Sequence, residues 1–250
     1  MKYSARNLTV GAYWYGRPLR GGQFLEQARV FATKLISAFP ALSILRVVRD
    51  PKESTGIIDR DFSNFDSEII AALPKEYVFI TPGIDTKKFT RESTARTLFP
   101  ASFLLTSDIG NKELSISLNA GRPDNESSNQ VIIAISPELE SVQTAKTILE
   151  ICVKFWEPNY AFVGRAEVQN LLKQPVGSIR IGWLTYLSNA AVQRHLPDDI
   201  RTEQLSSGTL IYSSDHPGFA SDTQDIETMR RILGALNPSG LLRGNSRPAN

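Results

Sequence analysis

The segment Leu114-Ser-Ile-Ser-Leu118 alternates apolar and polar residues with a period of two. That period belongs to a β-strand with one covered face and one wet face, and it constrains this chain more than any other feature. Two further strand-length stretches flank the segment, so the sequence predicts strands at Ser102–Thr106, Glu113–Asn119 and Gln130–Ile135. The first pair is joined by Asp108-Ile-Gly-Asn111, a short hairpin-type connection. The second connection, Gly121-Arg-Pro-Asp-Asn-Glu-Ser-Ser-Asn129, is longer and polar throughout, which assigns it to the surface. Strands joined this way form an antiparallel sheet, and its apolar face requires a cover.

Amphipathic helices are available as that cover. Phe24, Ala28, Phe31, Leu35 and Phe39 recur at helical spacing and stop at Pro40. Ser136-Pro137-Glu138 has the composition of a helix start, and Leu139, Val142, Ala145, Leu149, Cys152 and Trp156 continue the stripe. Ser221-Asp-Thr-Gln224 matches a capping box ahead of Ile226, Met229, Leu233 and Leu236. Further strands are expected at Leu8–Trp14, Ile44–Val48, Tyr77–Thr81, Tyr160–Val163, Ser178–Leu187 and Leu210–Ser213, with short helices ending at Leu73-Pro74 and spanning Ala166–Leu172. The stretch from Leu42 to Phe99 reads as the most irregular. The order of elements predicts an α+β fold, a mainly antiparallel β-sheet with amphipathic helices packed on one face. No linker forces a division, so residues 1–240 are expected to form a single domain and 241–250 a flexible tail.

Composition excludes several function classes. With 250 residues, 41% hydrophobic and 22% charged, the chain can bury a large core without staples. The single cysteine, Cys152, permits no intramolecular disulfide and no Cys-based zinc site. Apolar runs of about five residues are far short of the roughly 20 that span a bilayer, and the N-terminal stretch lacks the apolar region of a signal peptide. A cytoplasmic protein is the expectation. The 28 basic and 26 acidic residues are dispersed rather than gathered into runs, which gives no sign of a nucleic-acid surface.

No phosphate-binding glycine loop, nucleophile elbow or paired-histidine metal motif is present in the sequence. His195 and His216 both lie in polar stretches rich in Pro and Asp, and Asp215 is merely adjacent to His216. Cys152 falls on the inner face of a predicted helix, where it acts as a small hydrophobe. The pairs Asp59/Asp61, Asp198/Asp199 and Glu138/Glu140 lack the further oxygen ligands of a calcium loop. No cofactor or metal is expected, and no catalytic residue.

The aromatic segments carry more information. Tyr13-Trp14-Tyr15 ends the first strand, Phe155-Trp156 ends the long helix, and Gly182-Trp-Leu-Thr-Tyr-Leu187 forms a late strand. In that strand Trp183 and Thr185 share one face, while Gly182, Leu184 and Tyr186 share the other. Two-sided packing of a central strand accounts for this pattern, and an aromatic anchor of a protein interface is the alternative.

Three stretches in this order resemble the immunity protein 52 family of bacterial polymorphic-toxin systems. They are Gly11-Ala-Tyr-Trp14 with Arg17, Trp156 followed by Pro158 and Tyr160, and GWLTYLS at Gly182–Ser188 followed by Gly208-Thr-Leu-Ile211 and a closing helix. The resemblance implies a cytoplasmic, non-catalytic α+β protein that binds and neutralises a cognate secreted toxin. Such toxins commonly carry a restriction-endonuclease-like nuclease domain delivered by a type VI or related secretion system. The motif residues carried over are Trp14, Trp156, Gly182, Trp183, Thr185, Tyr186 and Leu187, and they are expected to define the fold rather than touch the toxin.

Nuclease inhibitors often meet a basic cleft with acidic surface. A sequence pI of about 8.6 excludes such mimicry by the whole surface and leaves local acidic patches. The candidates are Asp59, Asp61, Asp66 and Glu68; Asp124 and Glu126; and Asp198, Asp199 and Glu203. Neither a membrane nor a directly bound nucleic acid is an expected partner. The alternatives are a non-catalytic adaptor or structural component of a secretion system, or a hydrolase with a dispersed Asp/Glu site around His216.

Overall fold

A computed structural model describes residues 7–48, 56–72, 99–107, 111–121, 128–174, 178–217 and 222–242. The chain gathers into two compact units, Trp14–Leu139 and Lys2–Tyr13 with Glu140–Asn250. The predicted strand at Tyr77–Thr81 and the acids Asp124 and Glu126 lie outside the described residues, as do Leu73-Pro74, Ser221 and residues 243–250.

In the first unit α1 (Gly21–Ala38) follows a turn and precedes β2 (Ile44–Val47), β3 (Gly56–Ile57) and α2 (Phe65–Ala72). β4 (Phe99–Thr106), β5 (Glu113–Ala120) and β6 (Asn129–Ile135) complete it. The strand order is β3-β2-β4-β5-β6, with every pair antiparallel. The alternation in β5 has its expected consequence for the apolar residues. Leu114, Ile116 and Leu118 are fully buried and Ser117 is half-exposed, whereas Ser115, on the face expected to be wet, is buried at 8% exposure. The α1 helix buries Phe24, Ala28, Phe31 and Leu35, and each large side chain removed from water contributes about 1.5–3 kcal/mol. The Arg20 backbone N–H donates to Gln23 Oε1 (2.9 Å) at its start, and Pro40 follows its C-cap, Phe39. Helix α2 places Phe65 in a stacked arrangement against Phe103 of β4, with centroids 5.9 Å apart.

The second unit contains β1 (Leu8–Trp14, up to Tyr13), α3 (Val142–Trp156), β7 (Tyr160–Arg165), α4 (Ala166–Leu172), β8 (Leu184–Leu187), β9 (Thr202–Leu205), β10 (Gly208–Tyr212) and α5 (Thr223–Leu236). Its strand order is β1-β7-β8-β10-β9, again antiparallel. Every residue of β7, β8 and β10 is buried, so both faces of these strands are covered, with α3 and α4 packed on β7. Tyr13 stacks on Tyr160 at 4.6 Å and lies parallel to Phe162, binding β1 to β7 beyond the backbone ladder. Among the described residues no helix is long and apolar enough to cross a membrane.

Several boundaries differ from the sequence expectation. Ser136-Pro137-Glu138 opens a 3-10 turn, Pro137–Leu139, rather than the helix. The Ser136 hydroxyl accepts a hydrogen bond from Glu113 N–H, and Ser141 caps α3 by accepting from Thr144 N–H (3.0 Å). Leu139 and Val142 are therefore outside the buried stripe, which runs through Ala145, Ile148, Leu149, Cys152, Val153 and Trp156. The late strand is confined to β8, because Gly182 and Trp183 turn into it rather than continue it. Glu203, read as a loop residue, lies in β9, whose mixed polar composition (Thr-Glu-Gln-Leu) hides the strand. At α5 the N-cap is Asp222, without a side-chain cap bond, and the inner face uses Ile232 where Leu233 was expected. Leu242, assigned to the tail, is buried and its carbonyl accepts from Ile179 N–H (2.9 Å).

Candidate functional site

The aromatic motif lies in the core. Trp14, Trp183, Thr185 and Tyr186 are each at most 2% exposed, and Trp156 and Leu187 are also buried. Gly182 N–H donates to Thr185 Oγ1 (3.0 Å), which tightens the entry to β8, and Trp183 Nε1–H donates to the Ser214 carbonyl (2.9 Å). A Cβ at Gly182 would lie 2.2 Å from the Val163 carbonyl oxygen on β7, so only glycine fits. Gly182→Ala is expected to cost about 1–3 kcal/mol through this overlap. A chemical-denaturation midpoint equal to wild type would refute the close approach.

In the first unit the acidic candidates surround one turn. Ser63 N–H and Oγ–H donate to Asp61 (3.0 Å) and Asp59 (3.1 Å), while Asp59 N–H donates to Asn64 Oδ1 (2.9 Å). The Ser63 backbone bond, assisted by its side chain, holds the Asp61 carboxyl below the usual range. Phe62, at φ 61°, occupies the left-handed region, a strained position for an aromatic residue that marks a built turn. Beside it lies an open cleft of about 350 Å³ lined by Ile36, Pro40, Leu45, Ile58, Arg60 and Phe62. Asp59 reaches this rim, and Ile57 is 53% exposed. Asp66 and Glu68 occupy the first turn of α2, where the helix dipole favours acids, and Asp66 is paired with Arg29 (2.5 Å).

In the second unit Asp199 and Glu203 have cationic partners of their own. Arg231 grips Asp199 through two bonds (2.7 and 2.9 Å), which holds its carboxyl low. Asp198 is exposed beside it. Glu203 accepts from Tyr212 Oη–H (2.6 Å) and Lys146 Nζ (3.0 Å), and the Arg201 guanidinium lies over the Tyr212 ring at 4.3 Å. Partial burial alone would raise the Glu203 carboxyl, but these two donors hold it below its ordinary value of 4.5. A carboxyl with a lowered folded-state value adds stability above its unfolded value and loses it as pH falls through the folded one. Lys146→Met is therefore expected to destabilise the protein by up to about 1 kcal/mol at neutral pH, with the difference vanishing towards pH 3. Thermal melts of both proteins across pH 3–7 check this, and a difference independent of pH would refute it.

The nucleophile and acid–base candidates separate. Cys152 is fully buried in α3, and burial pushes its thiol up. His195 ends an exposed 3-10 turn, Ala190–His195. Asp215, the sequence neighbour of His216, turns to Arg201 (3.1 Å) instead. His216 is joined by Asp222 and Asp225, each offering one ligand atom within 4.8 Å of the others. Sequence reading missed this group because it treated the start of α5 only as a cap. The separation of three between Asp222 and Asp225, with a histidine just upstream, was the available signal.

The described residues thus define an α+β protein of antiparallel strands whose aromatic motif is structural and whose acids are largely paired within their own units. No protein-family model matches the chain, and no curated protein matches its sequence. Among solved structures it is similar to the Pseudomonas aeruginosa T6SS protein PA0821, at 12% identity and a TM-score of 0.50, over 98% of this chain and 77% of that one. The similarity shows a shared fold.

Proposed function

We propose that this chain is an immunity protein of the immunity protein 52 type, which binds and neutralises a cognate antibacterial toxin in the cytoplasm of the cell that makes it. It acts by binding rather than catalysis, and its target is a restriction-endonuclease-like nuclease toxin of a type VI or related system. The fold likeness to a T6SS protein across nearly the whole chain carries this reading, together with the sequence resemblance at Trp14, Trp156 and Gly182–Leu187. The local pairing of Asp66, Asp199 and Glu203 leaves the exposed Asp59–Asp61 turn, beside its apolar cleft, as the acidic surface best suited to a basic toxin face.

The test is co-expression with the toxin domain encoded by the neighbouring gene, followed by a pull-down. Growth rescue with a one-to-one complex is expected, and the double reversal Asp59→Lys/Asp61→Lys should weaken binding at least tenfold while leaving folding intact. An active toxin that neither binds the chain nor is neutralised by it would sink the reading. The same likeness supports a second reading, a non-catalytic component of the secretion apparatus. Capture of secretion proteins without rescue would favour that alternative.

A further inference from the structure

The start of α5 brings together three groups that the binding function does not use. His216, exposed after β10, Asp222 at the N-cap and Asp225 in the first turn present one nitrogen and two oxygens within 4.8 Å of one another. Asp225 adds an independent observation. It is only 8% exposed, and its Oδ2 is shielded from solvent with no hydrogen-bond partner among the described residues. A buried carboxylate oxygen without a donor carries its full desolvation cost, and in native proteins such a group is usually matched by a donor or a metal.

We propose that His216, Asp222 and Asp225 form a binding site for a divalent transition-metal ion. Imidazole with two carboxylates suits zinc and its neighbours, whereas magnesium and calcium select oxygen ligands alone. Bonds of about 2.0–2.1 Å place tetrahedral ligands roughly 3.3 Å apart, inside the 4.8 Å that now encloses the three ligand atoms, so binding would draw them together. Three protein ligands leave a fourth position for water. The ion would join the segment after β10 to α5, and so tie the closing helix to the strand before it. This inference is independent of the proposed toxin.

The experiment is calorimetric titration of the untagged full chain, stripped with a chelator, with Zn²⁺, paired with thermal melts. One ion per chain and a higher Tm are expected, reversed by chelator. Removing a group that only hydrogen-bonds to a metal ligand typically costs 10–100-fold, so His216→Ala and Asp225→Asn, which remove ligands, should each weaken binding by at least about 100-fold. His195→Ala should bind as wild type. His216 is exposed, so its variant folds whatever happens at Asp225. Absence of stoichiometric binding by the wild type, binding unchanged in His216→Ala, or Mg²⁺ binding as tight as Zn²⁺ would each overturn the proposal.

Discussion

Glu140→Ala is expected to lower the unfolding free energy by about 3–5 kcal/mol. Arg165 closes β7 with only 3% of its side chain exposed, and Glu140, itself 19% exposed, pairs with it. Arginine stays protonated at any accessible pH, so Glu140→Ala takes a carboxylate away from a buried charge that cannot neutralise itself. Much of the cost is the desolvation of that under-compensated charge rather than the attraction lost. Replacement of both partners, Glu140→Leu with Arg165→Met, should therefore recover most of the stability. Urea unfolding of the two variants checks the account, and a double variant no more stable than Glu140→Ala would contradict it.

Trp183→Ala carries the second large effect, again about 3–5 kcal/mol, from the cavity left by a side chain only 2% exposed. Trp183→Phe keeps much of the volume but strands the Ser214 carbonyl, which accepts the indole N–H. It should cost less, with about 1 kcal/mol of its loss due to that hydrogen bond. Guanidinium midpoints separate the two variants. A Trp183→Ala protein of wild-type stability that had lost only partner binding would move the residue from the core to an interface.

Much of this architecture can be read from periodicity. The alternation in Leu114–Leu118, the helical stripe from Phe24 to Leu35 and the apolar run Val131–Ile135 are each determined by local burial, and the structure places their apolar residues as the pattern requires, although Ser115 is buried too. What escaped was set by tertiary partners. Ser136 looks like a cap until Glu113 N–H claims its hydroxyl, and Glu203 looks solvated until Tyr212 and Lys146 converge on it. The aromatic segment at Gly182–Leu187 is legible as packed on both sides, although only Leu184–Leu187 is strand and the carbonyl of Val163 that makes Gly182 obligatory lies on a neighbour no spacing rule identifies. The His216–Asp222–Asp225 group needed the turn after β10 to close.

The pairing of β1 with β7 has a consequence for biosynthesis. Leu8–Tyr13 leaves the ribosome before its ladder partner Tyr160–Arg165, which emerges only after the whole of Trp14–Leu139. The second unit cannot complete itself until late in translation, whereas the first draws its strands from one uninterrupted stretch and is free to condense early. Closure of so long a loop is entropically slow, and during that interval an apolar strand waits without its neighbour. Newly made chains are thus most exposed to misassociation in the moments before β7 appears, and a fragment beginning at Glu140 would leave the β1-facing side of β7 unpaired.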